Sequence, residues 1–218
     1  MDFQFNIFLA SMPSLLTGAL VTAELTVISL GIALMIGLVG ALGRISRHAV
    51  LRGIAFSYTT LMRAIPLLLT LMFLYYALPS LGIDLSAFTI AIIALSGTSG
   101  AYITEIVRAG IQSIDSGQMR AARSLGMSYP LAMRRVILPQ VVRRVLPPIT
   151  NEAITLLKST ALVSTIALGD LLRSGLEVMT WKANTFSPFA GVGLIYLAMT
   201  LPMIAFLSWL EKRFIVPN

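Results

Sequence analysis

The chain has 218 residues, 57% hydrophobic and only 11% charged, with no cysteine and a mean hydropathy of +0.88. A soluble domain carries about 25% charged residues, so a soluble enzyme, a disordered chain and a disulfide-built secreted module are excluded. The formal charge of +7 then reports sidedness in a membrane rather than affinity for nucleic acid.

A helix needs about 20 mostly apolar residues to cross the hydrocarbon core. The first such stretch is about residues 15–43, where Glu24 is the only charge. Asp2 is the only charge before it, so this is a retained helix rather than a signal peptide. A basic segment follows, with Arg44, Arg47 and Arg52; His48 lies in it as a surface residue, with no co-ligand nearby. The second span is predicted over about 61–81, with Arg63 at its start and Pro66 three residues on, where it disturbs helical bonding. The third covers about 85–108 and holds the small run Ser96-Gly97-Thr98-Ser99-Gly100-Ala101, which lets another backbone approach closely. Glu105 and Arg108 form an i,i+3 pair near its end. The fourth, about 146–169, is interrupted by Glu152 and Lys158, and the fifth covers about 188–210. No alternating ten-residue pattern suggests a barrel.

Basic loops alternate with poor ones as five spans require, which predicts the N-terminus outside and the C-terminus in the cytoplasm. The polar stretch of about 109–145 is then cytoplasmic. Asp115 with Gln118 fits a capping box, Met119, Ala122 and Leu125 share roughly one helical face, and Gly126 stops the helix. Ser128 caps a second short helix with Pro130 in its first turn; Pro139 ends it, and Pro147-Pro148 mark the start of span four. Such a loop fits either anionic lipid headgroups or a docked partner.

Charges inside spans are costly, about 2.5–3.5 kcal/mol each on insertion scales, and are the default functional candidates. Lys158 with Ser159 and Thr160 makes a polar step suited to a carboxylate, while Glu24 or Glu152 suits an ammonium or cationic side chain. Lys158 and Glu152 also suit structural ties between helices. They lie six residues apart and project in different directions, so they do not pair directly. There is no phosphate-cradling Gly-x-x-x-x-Gly-Lys-Ser/Thr loop and no cluster of metal ligands. The chain is therefore a transport subunit rather than an enzyme. It needs energy from a separate ATPase or from an ion gradient.

The stretch Gly117-Gln118-Met119-Arg120-Ala121-Ala122-Arg123-Ser124-Leu125-Gly126, followed by Ile137-Leu138-Pro139, resembles the EAA loop of bacterial ABC importer permeases. Met62 to Leu68, Ala101 to Ile111 and Leu157 to Ser164 are similar to the polar amino-acid branch, the histidine/glutamine/glutamate permeases. The resemblance covers nearly the whole chain. It implies an all-α membrane protein of the type I ABC importer fold, a single domain over 1–218 with five spans and a cytoplasmic coupling-helix loop. It also implies a bacterial inner-membrane location, a second permease subunit, two ATPase subunits that bind ATP and Mg, and a soluble or lipid-anchored binding protein. Lys158, Ser159, Thr160, Glu24, Arg63, Pro66 and Glu152 are then candidates for the substrate path, and Gln118, Arg120, Ala121, Ala122, Gly126, Met127 and Ser128 for ATPase coupling. Three departures stand out: Arg120 replaces the loop glutamate, Ala64-Ile65 replaces Gly-Thr, and Ser159 replaces an acidic or amide residue. An ion-coupled secondary transporter would instead show paired acids and an internal repeat, and a scaffold subunit would lack the polar step.

Overall fold

The computed structural model describes residues 3–215, with side chains described through Arg213. It is helical throughout, with no strand among the described residues. Helix α1, Phe5–Arg44, runs unbroken for 40 residues, about 60 Å. It therefore begins ten residues before the expected limit at 15. Helix α4, Ala87–Gln112, packs along it. Ser86 caps α4 by accepting the Thr89 N–H at 3.1 Å. The close seam depends on residues with little side chain. A Cβ at Gly37 would overlap Ile103, and one at Gly100 would fall 2.7 Å from Ile36. The small run therefore serves contact within the chain.

The single helix expected over 61–81 is two. Helix α2, Ala49–Ala64, and helix α3, Leu67–Ala77, meet at 98° across Ile65-Pro66. Pro66 has no N–H to continue the ladder and holds Ile65 extended at φ −92°, ψ 128°. Arg63 consequently sits in the last turn of α2, not at the start of a span. The Tyr58 hydroxyl ties α2 to α4 by donating to the Gly97 carbonyl at 2.6 Å.

The long polar loop is also shorter than expected. Helix α5, Ser116–Ser124, is followed by helix α6, Tyr129–Ala132. That second helix does not stop at Pro139. It passes through a π-turn, Met133–Ile137, into helix α7, Leu138–Ser159. The widened turn lets the Leu138 N–H reach back to the Met133 carbonyl, and Pro139 falls in the first turn of α7, where no N–H is needed. Pro147 and Pro148 lie inside α7 rather than at its start; the Thr150 hydroxyl approaches the Pro147 carbonyl at 2.7 Å. A 3-10 segment, Thr160–Ile166, ends this run.

Helix α8, Leu171–Lys182, occupies a stretch that the sequence marks only as a connection between spans. Asp170, fully buried, caps it by accepting the Leu172 and Arg173 N–H groups at 3.1 and 2.9 Å. Helix α9, Phe186–Ile215, closes the described chain. The helices α1, α4 and α9 are each long and apolar enough to cross a membrane; counting each bent pair as one span raises the number to five. Leu25, Leu71, Leu95, Val163 and Ile166 form the main apolar core between these elements.

Candidate functional site

The break at Pro66 opens a cavity of about 480 Å³ against α4 and α7. Arg63 and Pro66 contribute from the break, Ser99 and Tyr102 from α4, Glu152 and Ser159 from α7. The Arg63 guanidinium stands 5.3 Å from the centre of the Tyr102 ring. Ser99 and the Glu152 carboxylate face the same cavity. No ion pair joins Arg63 to Glu152 among the described residues. A cation and an anion thus line one cavity together with several hydroxyls. That arrangement can take a small zwitterion, with Arg63 toward a carboxylate and Glu152 toward an ammonium or guanidinium.

The predicted polar step is divided among three environments. Ser159 joins this cavity. Lys158 lines a different cavity of about 510 Å³, formed with Tyr196, Thr200 and Leu201 of α9. Thr160 is fully buried, and its hydroxyl donates to the Leu157 carbonyl at 2.7 Å. Successive helical residues point about 100° apart, so three adjacent polar side chains cannot converge on one ligand. Glu24 lies in neither cavity; it is exposed on the face of α1 that carries Leu20 and Val27.

The other predicted group lies on α5 and its turn. Asp115 caps α5 through the Gly117 N–H at 2.6 Å. The reciprocal half of the expected capping box is missing, because the Gln118 side chain accepts from Gln140 at 3.3 Å instead. Gly126, at φ +80°, closes a Schellman turn: its N–H donates to Arg123, and the Met127 N–H donates back to Ala122 at 3.2 Å. Ala122 is buried and Met119 packs against Ile137, Val141 and Val145, which fixes α5 to the base of α7. Leu125, expected on that same face, is instead 81% exposed beyond the end of the helix. Arg120, Ala121, Arg123 and Ser128 are exposed with it. The Ser128 side chain makes no capping bond. These residues form one outward-facing elbow of cations and a leucine. No group of three or more His, Cys, Asp or Glu side chains is arranged for a metal among the described residues.

Residues 33–216 match the family described as the binding-protein-dependent transport system inner membrane component. The chain belongs to this family. Like other members of that transport family, it is a multi-pass membrane component and not a catalytic subunit. It is 37% identical over 219 residues to the arginine transport system permease protein ArtQ of Bacillus subtilis (strain 168), covering 100% of both chains. It is 36% identical over 188 residues to the probable glutamine ABC transporter permease protein GlnM of the same organism, covering 86% of this chain and 87% of that one. A crystal structure of an amino acid ABC transporter with histidines matches at a TM-score of 0.91 and 38% identity, covering 98% of this chain and 100% of that chain. The fold is that of a type I ABC importer permease.

Several residues of this permease take on roles that the sequence alone does not assign. Arg44 donates to Glu105 at 2.9 Å, joining the end of α1 to α4, and so adds a second cation to the expected Glu105–Arg108 pair. Ser99 and Tyr102 stand in the sequence as members of the small run and its neighbourhood, and nothing there marks them as cavity residues. Asp170 has a legible signal, an acid directly before Leu171-Leu172 with an i,i+4 Arg173–Glu177 pair behind it.

Proposed function

We propose that this chain is a permease subunit of an ATP-driven importer of polar amino acids. It works as a dimer with an identical or homologous permease, above two ATPase subunits that bind ATP and Mg, and receives substrate from a soluble or lipid-anchored binding protein. The N-terminus lies outside and the elbow and C-terminus in the cytoplasm, because the Lys and Arg residues gather on the elbow side. The observation that carries this reading is the elbow itself. A left-handed glycine joins α5 to α6, and α6 continues into the helix that holds Glu152 and Ser159. A push on Arg120, Arg123 or Leu125 therefore reaches the cavity through one continuous helical run.

In this mechanism ATP closes the ATPases, the two elbows approach each other, and the spans open outward; hydrolysis reverses the motion. The equilibrium between the two packings is biased only as far as nucleotide binds one better than the other. Within the cavity Arg63 orients the substrate carboxylate, Glu152 takes the positive end, and Pro66 and Ser159 shape the wall. Lys158 belongs to the wider pathway through the α7–α9 cavity, whereas the buried Thr160 and the outward-facing Glu24 stand apart from it. The relatives are named for arginine and glutamine, and a cavity offering both charges suits either.

Reconstitution with the ATPase and binding protein tests this. Amino-acid uptake should require ATP hydrolysis and should cease without the ATPase. Uptake sustained by a proton or sodium gradient with the ATPase absent would overturn it.

A further inference from the structure

The opening half of α2 lies back against the last turns of α1, and between them runs an open apolar groove of about 500 Å³. Met35, Val39 and Gly43 line it from α1, and Leu51, Ile54 and Tyr58 from α2. No charged side chain enters it. Met35, Val39 and Ile54 are 64, 70 and 63% exposed. The groove runs to the α1–α2 turn, where Arg47, His48 and Arg52 are all exposed.

The charge at that end is one-sided. Residues 25–83 contain no Asp or Glu. Glu105 reaches this end of α1, but it is already held by Arg44 at 2.9 Å and by Arg108 at 2.7 Å. Arg44 is further occupied by the Phe56 ring, 4.8 Å away. Arg52 reaches only a backbone oxygen, that of Ser46, at 3.2 Å. Among the described residues no carboxylate pairs with Arg47 or Arg52, which stand exposed in and just after the turn at the end of this apolar groove.

We propose that this groove binds one anionic phospholipid, its acyl chain between α1 and α2 and its phosphate between Arg47 and Arg52. Basic clusters where helices leave the bilayer select anionic headgroups in this way. A zwitterionic lipid would fill the groove equally but would gain little from the two guanidinium groups. The bound lipid would brace α2, whose far end carries Arg63 and the Pro66 break. The proposal rests on the chain crossing a membrane and not on what it transports, so failure of amino-acid uptake would leave it standing.

Native mass spectrometry of the full chain in detergent provides the test, with dioleoyl phosphatidylglycerol and dioleoyl phosphatidylcholine as competing probes. The wild type should retain phosphatidylglycerol in preference. Arg47→Gln with Arg52→Gln should weaken that retention roughly thirtyfold, as expected for two surface arginines, with an unchanged unfolding midpoint in lipid-free detergent. Ile54→Trp should abolish retention by filling the groove while both arginines remain. Equal retention of the two lipids by the wild type would overturn the proposal, as would unchanged retention in either variant. So would efficient disulfide linkage of Leu51→Cys between chains in vesicles, which would place a second copy over the groove; the absence of native cysteine makes that readout unambiguous.

Discussion

The unbroken pair α1–α4 and the broken run α2–α3 treat polar groups in opposite ways. Along the α1–α4 seam, several buried hydroxyls turn back on their own helices: Thr26 donates to the Thr22 carbonyl and Thr104 to that of Gly100. The one ionic tie, Arg44–Glu105–Arg108, lies near the end of the seam. At the α2–α3 break, by contrast, Arg63 faces a cavity and has no carboxylate bound to it among the described residues. Continuous helices satisfy their backbone internally and can be packed tightly. A break surrenders a ladder bond, and in exchange an exposed polar side chain, Arg63, comes to line a cavity. The first pair is scaffold, and the second is where a solute can be met.

The sharpest way to break this contrast is to thicken the scaffold. Gly37→Leu forces a branched side chain into Ile103 along the α1–α4 seam. Overpacking of this kind costs about 3 kcal/mol. Folded yield and the unfolding midpoint in detergent should both fall, and uptake should fall with them. A normal midpoint would mean that the seam is looser than its geometry indicates.

The complementary change leaves the scaffold intact. Glu152→Gln keeps the shape of the cavity wall but removes its anion. Charge-assisted hydrogen bonds contribute about 1.5–3 kcal/mol, so uptake of a cationic or zwitterionic amino acid should drop roughly ten- to a hundredfold. The unfolding midpoint should stay at the wild-type value. Loss of stability in step with loss of uptake would return Glu152 to the scaffold and dissolve the distinction.

The elbow tests whether motion outside reaches the break. Gly126→Val places a β-branched residue at φ +80°, a strain of about 1–2 kcal/mol. Membrane insertion should be unaffected, while ATP-coupled uptake should be lost because α5 and α6 no longer meet at the same angle. Coupled uptake at the wild-type rate would show that the turn is a passive connection.

Much of this division is legible in the amino-acid sequence. Charge-free runs place α4 to within a few residues at its start, because Asp84 and Glu105 bracket an apolar stretch of sufficient length. Gly126 is legible as a stop because a helix end needs a residue that tolerates positive φ. The prolines are legible as disturbances but not as to kind. Pro66 breaks its helix, whereas Pro139 is accommodated by a π-turn and Pro147-Pro148 lie within α7. The difference depends on whether neighbouring groups can answer the freed carbonyls, which is a tertiary property. The position of Arg63 is hidden for the same reason: hydropathy counts residues between charges, and a 98° bend inside the count is invisible to it. The separation of Lys158 from Ser159 follows from helical rotation alone and is available from the sequence.

That separation gives the smallest expected effect. Lys158 lines the α7–α9 cavity and is exposed, so its charge is screened more than that of Glu152. Exposed ion pairs contribute about 0.2–1 kcal/mol, so Lys158→Met should raise the KM for uptake by no more than about fivefold and leave kcat unchanged. Because the two side chains occupy different cavities, their effects should add: Glu152→Gln with Lys158→Met should show the product of the two single-variant factors. A double variant no worse than Glu152→Gln alone would mean that both charges hold the same bound solute. The polar path would then be continuous across α7, and the break at Pro66 would be only one side of it.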